Sequence, residues 1–123
     1  MAIWRSDLSA SVRNGKGFTL SQWRRVTILR TDGASRNLSR EEFSELAPLL
    51  GSAALSAVGA QPLPDAVEWR VVLERANGDR LASLDIAGNW VRWREGRAPP
   101  GTGAPSAGAL SALREALREA LDR

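Results

Sequence analysis

Two short dipeptides, Asn77-Gly78 and Gly88-Asn89, constrain what this 123-residue chain can fold into more than any other feature. Asn-Gly between alternating apolar runs is the strongest short signal for a type I′ hairpin turn. Such a turn sets Trp69 opposite Ile86, Val71 opposite Leu84 and Leu73 opposite Ala82, and on the other face Arg70 opposite Asp85. Gly88-Asn89, with glycine first, suits a type II′ turn. It sets Ile86 opposite Val91, Leu84 opposite Trp93 and Asp85 opposite Arg92. Side chains alternate along a strand, so a one-residue slip would exchange the two faces. Both turns nevertheless put apolar residues against apolar ones and opposite charges across from each other. A three-stranded meander over about 68–75, 80–86 and 90–94 is therefore predicted. Its opposite-charge pairs contribute ~0.2–1 kcal/mol each. Trp69 and Trp93 belong to the core face, while Val72, Leu81, Trp90 and Arg94 belong to the outer one.

The flanking segments are read by the same rules. Residues 2–13 suit a short strand, and Asn14-Gly15-Lys16-Gly17 a loop. An extended segment from Phe18 to Arg30 follows, with its clearest strand part at Trp23–Arg30, rich in β-branched residues. Thr31-Asp32-Gly33 ends it. Ser39-Arg40-Glu41-Glu42 is a capping box, followed by Phe43, Leu46, Ala47 and Leu50 on one helical face. Pro48 is expected to end or kink this helix near Ala47. Leu49 to Ala60 is apolar and alanine-rich, with room for a further helical turn or two, and 61–65 is a connector. Residues 96–105 are expected to form a flexible linker with stiff proline points. The final helix, within 106–123, carries Leu110, Leu113, Leu117 and Leu121 on a stripe widened by Ala112, Ala116 and Ala120. Docking of that stripe on the chain's own sheet favours a monomer over a homodimer formed through it. The expected architecture is a single α+β domain over 1–123, in the order β-β-α-β-β-β-α. An antiparallel sheet of about five strands carries two helices on one face.

Composition removes most catalytic chemistry. The chain has no histidine, cysteine or tyrosine, and its only lysine is Lys16. Ser-His and Cys-His nucleophiles, thiolate zinc sites and disulfides are all excluded. No catalytic residue, metal ligand or cofactor is assigned, and a non-enzymatic role is expected. The net charge of +3 allows an acidic partner without demanding one. No apolar run matches a signal peptide or a membrane span, so a cytoplasmic location without membrane association is expected.

Individual motifs are weighed against simpler explanations. Asn14-Gly15-Lys16-Gly17 has a faint likeness to a phosphate-binding loop, but Ala10 replaces the first glycine and Gly17 the hydroxyl residue, and a strand is expected to follow. Lys16-Gly17-Phe18 opens like an RNA-recognition strand, but no aromatic follows at Leu20 or Gln22. Arginines beside tryptophans (Arg24, Arg25 and Arg30 by Trp23; Arg92, Arg94 and Arg97 by Trp90 and Trp93) raise nucleic-acid binding as an alternative. A solvated charged face is the simpler account, because acids are threaded through the same sheet. Glu41, Glu42 and Glu45 make a poor metal site without histidine, and capping already explains Glu42. Asp65, Glu68, Asp79 and Asp85 lack calcium-loop spacing.

Several short patterns occur in a characteristic order: Arg24-Arg25-Val26-Thr27 in an early strand, Leu38-Ser39 with Glu41-Glu42 opening a helix, Asp65-Ala66-Val67-Glu68-Trp69-Arg70-Val71 opening a strand, and Ala104-Pro105-Ser106 before a leucine-rich final helix. In this respect residues 18–121 resemble emfourin-like proteins, small bacterial inhibitors of thermolysin-type metallopeptidases. The strand at Trp90–Arg94 and the segment 96–105 depart from that pattern, and no functional residue is carried over. The resemblance implies a protein-binding module whose partner is another protein, such as a metallopeptidase. On this chain the candidate partner-binding residues are Arg70, Trp90, Arg92 and Arg94, all near the outer sheet face.

Overall fold

The computed structural model describes residues 16–123, so the strand expected within 2–13 lies outside the described residues. Six strands form one sheet: β1 (Arg25–Arg30), β2 (Ser35–Ser39), β3 (Trp69–Glu74), β4 (Arg80–Ala87), β5 (Trp90–Glu95) and β6 (Gly101–Gly103). Their spatial order is β2-β1-β3-β4-β5-β6, and every neighbouring pair is antiparallel. Three helices complete the fold: α1 (Lys16–Gln22), α2 (Leu46–Ser56) and α3 (Ala107–Leu121). This is the expected α+β class; within the described residues two strands, β2 and β6, and one helix, α1, were not anticipated. Among the described residues no helix is long and apolar enough to cross a membrane.

The meander has the register read from its turns: Trp69 with Ile86, Val71 with Leu84, Arg70 with Asp85, Leu84 with Trp93 and Asp85 with Arg92. The first turn is nevertheless not type I′, which needs positive φ at both central residues. Gly78 has φ +94° and Asn77 does not share it. The loop closes instead through Gly78 N–H to the Arg75 carbonyl (2.9 Å) and Arg75 N–H to the Asp79 carbonyl (2.8 Å). This three-residue loop shifts the pairing by one, to Glu74 with Arg80. The register then shifts back by one before Leu73 pairs with Ala82, leaving Leu81 as the extra residue of a bulge. The apolar face requires the original register, and the bulge restores it. The second turn fits type II′, with Gly88 at φ +60° as its first central residue.

One face of the sheet carries Val26, Ile28, Trp69, Val71, Leu73, Leu84, Ile86, Val91 and Trp93, all buried in one cluster with α2 and α3. Those helices contribute Leu46, Leu50 and Ala54, and Leu110, Leu113 and Leu117. The stripe on α3 is the predicted one, except that Ala112 is exposed. Ser106 caps α3 by accepting from Ala109 N–H at 3.2 Å.

Three expectations need correction. Phe18 to Gln22 is helical, not extended, as part of α1. A helix this short is marginal alone; tertiary contacts hold it, with Thr19 buried against Glu95 and Trp23 closing the last turn into the core. Pro48 does not end a helix. The capping box forms, with Ser39 Oγ accepting from Glu42 N–H (3.2 Å) and Glu42 Oε1 accepting from Ser39 N–H (2.6 Å). It sits at a turn, however, and α2 begins only at Leu46. Pro48 therefore lies in the first helical turn, where its missing N–H has no intrahelical partner to lose. Finally, 96–105 is not wholly a linker, since Gly101–Gly103 pairs with β5 as β6. The backbone of β6 lies against the end of α2, so closely that a Cβ on Gly103 would fall 1.9 Å from the Ser56 carbonyl oxygen. Gly59 closes the outer edge of β6 by exchanging two hydrogen bonds with Thr102, at 2.6 and 2.8 Å.

Candidate functional site

The opposite face of the sheet is built by the alternate residues of the same strands. One row runs Ser35, Leu29, Arg70, Asp85, Arg92, Thr102, and the next runs Asn37, Thr27, Val72, Ser83, Arg94. All three described helices place their core residues on the first face, so none of them covers these rows. Leu29 is 38% exposed here, and Asn37, Arg70 and Arg94 are exposed.

Asp85 organises the centre. It is fully buried (0% exposed) although it lies on the face that no described helix covers. Its carboxylate is engaged by neighbours on adjacent strands. Arg70 on β3 donates through Nε to Oδ1 at 2.7 Å and through Nη2 to Oδ2 at 3.4 Å. Arg92 on β5 donates through Nε (3.1 Å) and Nη2 (2.8 Å) to Oδ2. The hydrogen bond from Arg70 to the Asp85 carboxylate, with its charge, holds the Arg70 guanidinium above its ordinary range. Burying a carboxylate is costly unless it is paired and hydrogen-bonded, and two arginines meet that requirement. Both guanidinium groups keep part of their surface in water, with side-chain exposures of 46% for Arg70 and 21% for Arg92.

The other two predicted residues fall on the same face. Arg94 lies opposite Ser83, in the row beside Arg92, and Trp90 lies opposite Ala87, half-buried, in the row on the other side. Arg70, Trp90, Arg92 and Arg94 thus share one face, with Asp85 and Ser83 of β4 between β3 and β5 and Leu29 of β1 beyond Arg70. A second network bounds the patch. Arg25 Nε donates to Asn37 Oδ1 (2.7 Å), Asn37 Nδ2 to Thr27 Oγ1 (2.7 Å), and Thr27 Oγ1 to Glu74 Oε2 (3.0 Å).

Many of the other arginines have structural uses. Arg40 stacks over the buried Trp23 ring at 4.5 Å, Arg30 lies over Trp69 at 5.5 Å, and Arg123 lies over Phe43 at 4.3 Å. Arg30 also pairs with Asp32. Much of the arginine–tryptophan crowding near the start of the sheet is therefore packing. Asp79 belongs to the Asn77 turn, Glu42 to the capping box, and Glu68 bonds Arg114 of α3 and the Gly88 N–H. Among the described residues no three of His, Cys, Asp or Glu come together as a metal site. Lys16-Gly17 opens helix α1, so the strand expected after the faint phosphate-loop pattern is replaced by a short helix.

Sequence reasoning missed an open groove of about 610 Å3 between the end of α2 and the β5–β6 connection. Leu55, Val58, Trp93, Glu95, Pro99 and Pro100 line it. Leu55 and Val58 are 62% and 81% exposed. Glu95 is already engaged, by the Thr19 hydroxyl and by Trp93 Nε1 at 3.0 Å. The only sequence signal for the groove was the pair Pro99-Pro100. Models of protein families, curated proteins and solved structures show no match to this chain.

Proposed function

We propose that this chain is a non-catalytic protein-binding module that docks its partner on the sheet face that no described helix covers, as a peptidase inhibitor would. The observation that carries this reading is the Arg70–Asp85–Arg92 cluster, with Trp90 and Arg94 beside it on strands that no described helix covers. Interfaces favour arginine and tryptophan as anchors, because each supplies large contact area together with directed donors. A sheet holds such residues more rigidly than a loop, which lowers the entropic cost of association. The absence of histidine, cysteine and tyrosine supports a role in binding over catalysis. The resemblance to emfourin-like inhibitors supports a thermolysin-type metallopeptidase as the first partner to test.

Peptide cleavage by such an enzyme is titrated with the purified chain. Loss of activity near equimolar ratio is expected, and Trp90→Ala together with Arg94→Ser raises the inhibition constant at least about tenfold, the effect of losing one hot-spot residue. Unchanged cleavage at large excess would remove the inhibitor reading.

A further inference from the structure

We infer that the partner surface recognised by this face is acidic: a short carboxylate-rich stretch of a protein, seated on Arg70, Arg92 and Arg94 with Trp90 and Leu29 as its apolar margin. This rests on the docking reading above and names the chemistry of the occupant. In the two central rows three arginines stand against one carboxylate, so the patch keeps two excess positive charges after Asp85 is neutralised. Arg70 and Arg92 each spend Nε and Nη2 on Asp85, and Nη1 of each makes no hydrogen bond among the described residues. Guanidinium N–H groups suit carboxylate oxygens in geometry as well as charge. Asp85 is a positioning residue in this arrangement. It fixes two long side chains that would otherwise lose rotamer freedom on binding.

The extent of the patch argues for a carboxylate stretch over a nucleic-acid backbone. A phosphate chain is gripped by a long track of cations. Here the cationic rows are bounded by the network that holds Glu74 on one side and by Glu68 on the other. The margins carry apolar surface: Leu29 is 38% exposed on one side and Trp90 is half-buried on the other. A few acidic residues interleaved with apolar ones match both features.

The test records 15N NMR spectra, with tryptophan indole and arginine Nε–H signals, on the full chain. Three probes are added: a hexaglutamate peptide, a hexalysine peptide and a twelve-nucleotide oligothymidine. Hexaglutamate is expected to shift the signals of Trp90, Arg70, Arg92 and Arg94. Arg92→Ser with Arg94→Ser should weaken it at least about tenfold, whereas Arg118→Ser on α3 changes it less than about twofold, as for a residue outside the contact. Raising the salt several-fold should weaken binding, as it does for exposed charges. If hexalysine moves these signals and hexaglutamate does not, the docking face stands and the acidic class falls. If oligothymidine binds this face more tightly, the acidic-protein proposal is overturned in favour of nucleic acid. If no probe moves the face, both the proposal and the docking reading fall.

Discussion

Leu84 and Asp85 are neighbours on β4, and both are completely buried. They reach that state by different routes. Leu84 points into the layer between sheet and helices, flanked by Val71 and Trp93 and closed over by the core that α2 and α3 complete. Asp85 points the other way, and arginines of the adjacent strands pair with its carboxylate. The first kind of burial removes apolar surface from water and stabilises the fold. The second holds one charge in place while leaving two cations at the surface. Core packing and, on the proposed reading, recognition thus fall to alternate residues of one strand.

Three substitutions, taken from the largest effect to the smallest, test that division. Leu84→Ala opens a cavity in the helix-covered layer and should cost ~2–5 kcal/mol, read from urea unfolding at unchanged slope. A loss below ~1 kcal/mol would mean that this face is not the close-packed one. Asp85→Ala removes charge-assisted hydrogen bonds to two arginines, and its expected cost is ~1–3 kcal/mol. Equal burial should therefore not give equal loss, because water can reach the freed guanidinium groups of Arg70 and Arg92. A larger loss than for Leu84→Ala would invert the comparison.

The smallest effect is expected where the two layers meet. Arg114 of α3 reaches round the end of the sheet to the Glu68 carboxylate and the Gly88 carbonyl. The bond from Arg114, followed by that from the Gly88 N–H, holds the Glu68 carboxyl below its ordinary value of 4.5. A lowered folded-state value contributes stability that is present above the ordinary value and lost as pH falls through the folded one. Glu68 is half exposed, so the contribution should stay below ~1 kcal/mol. Thermal midpoints of the native chain and Glu68→Gln should differ at neutral pH and converge only as pH falls through the lowered folded-state value, where Glu68 takes up its proton in the fold. A constant gap down to strong acid would show that the pair contributes nothing through its charge.

The first hairpin separates local from global causes most clearly. Alternation from Trp69 to Trp93 determined which side chains face inward and which meet across the strands, because period-two geometry and face polarity are local properties of the chain. The four candidate residues, and the pairing of Asp85 with Arg70 and Arg92, were legible for the same reason. The turn at Asn77-Gly78 was not: its three-residue loop moved the pairing by one, and the bulge at Leu81 moved it back, since only the assembled core penalises the wrong register.

The remaining differences have the same origin. Gly101–Gly103 carries no side-chain pattern, and it became a strand because bare backbone can lie against the carbonyl oxygens at the end of α2. Helix α1 depends on Thr19 and Trp23 finding partners far along the chain, and Pro48 opens α2 because the capping turn delays the helix to Leu46. The sequence by itself determined the meander, its two faces and the placing of Arg70, Trp90, Arg92 and Arg94 on one of them. Tertiary structure alone decided where the short elements begin, and which face the helices cover, because those outcomes depend on contacts between segments distant in the chain.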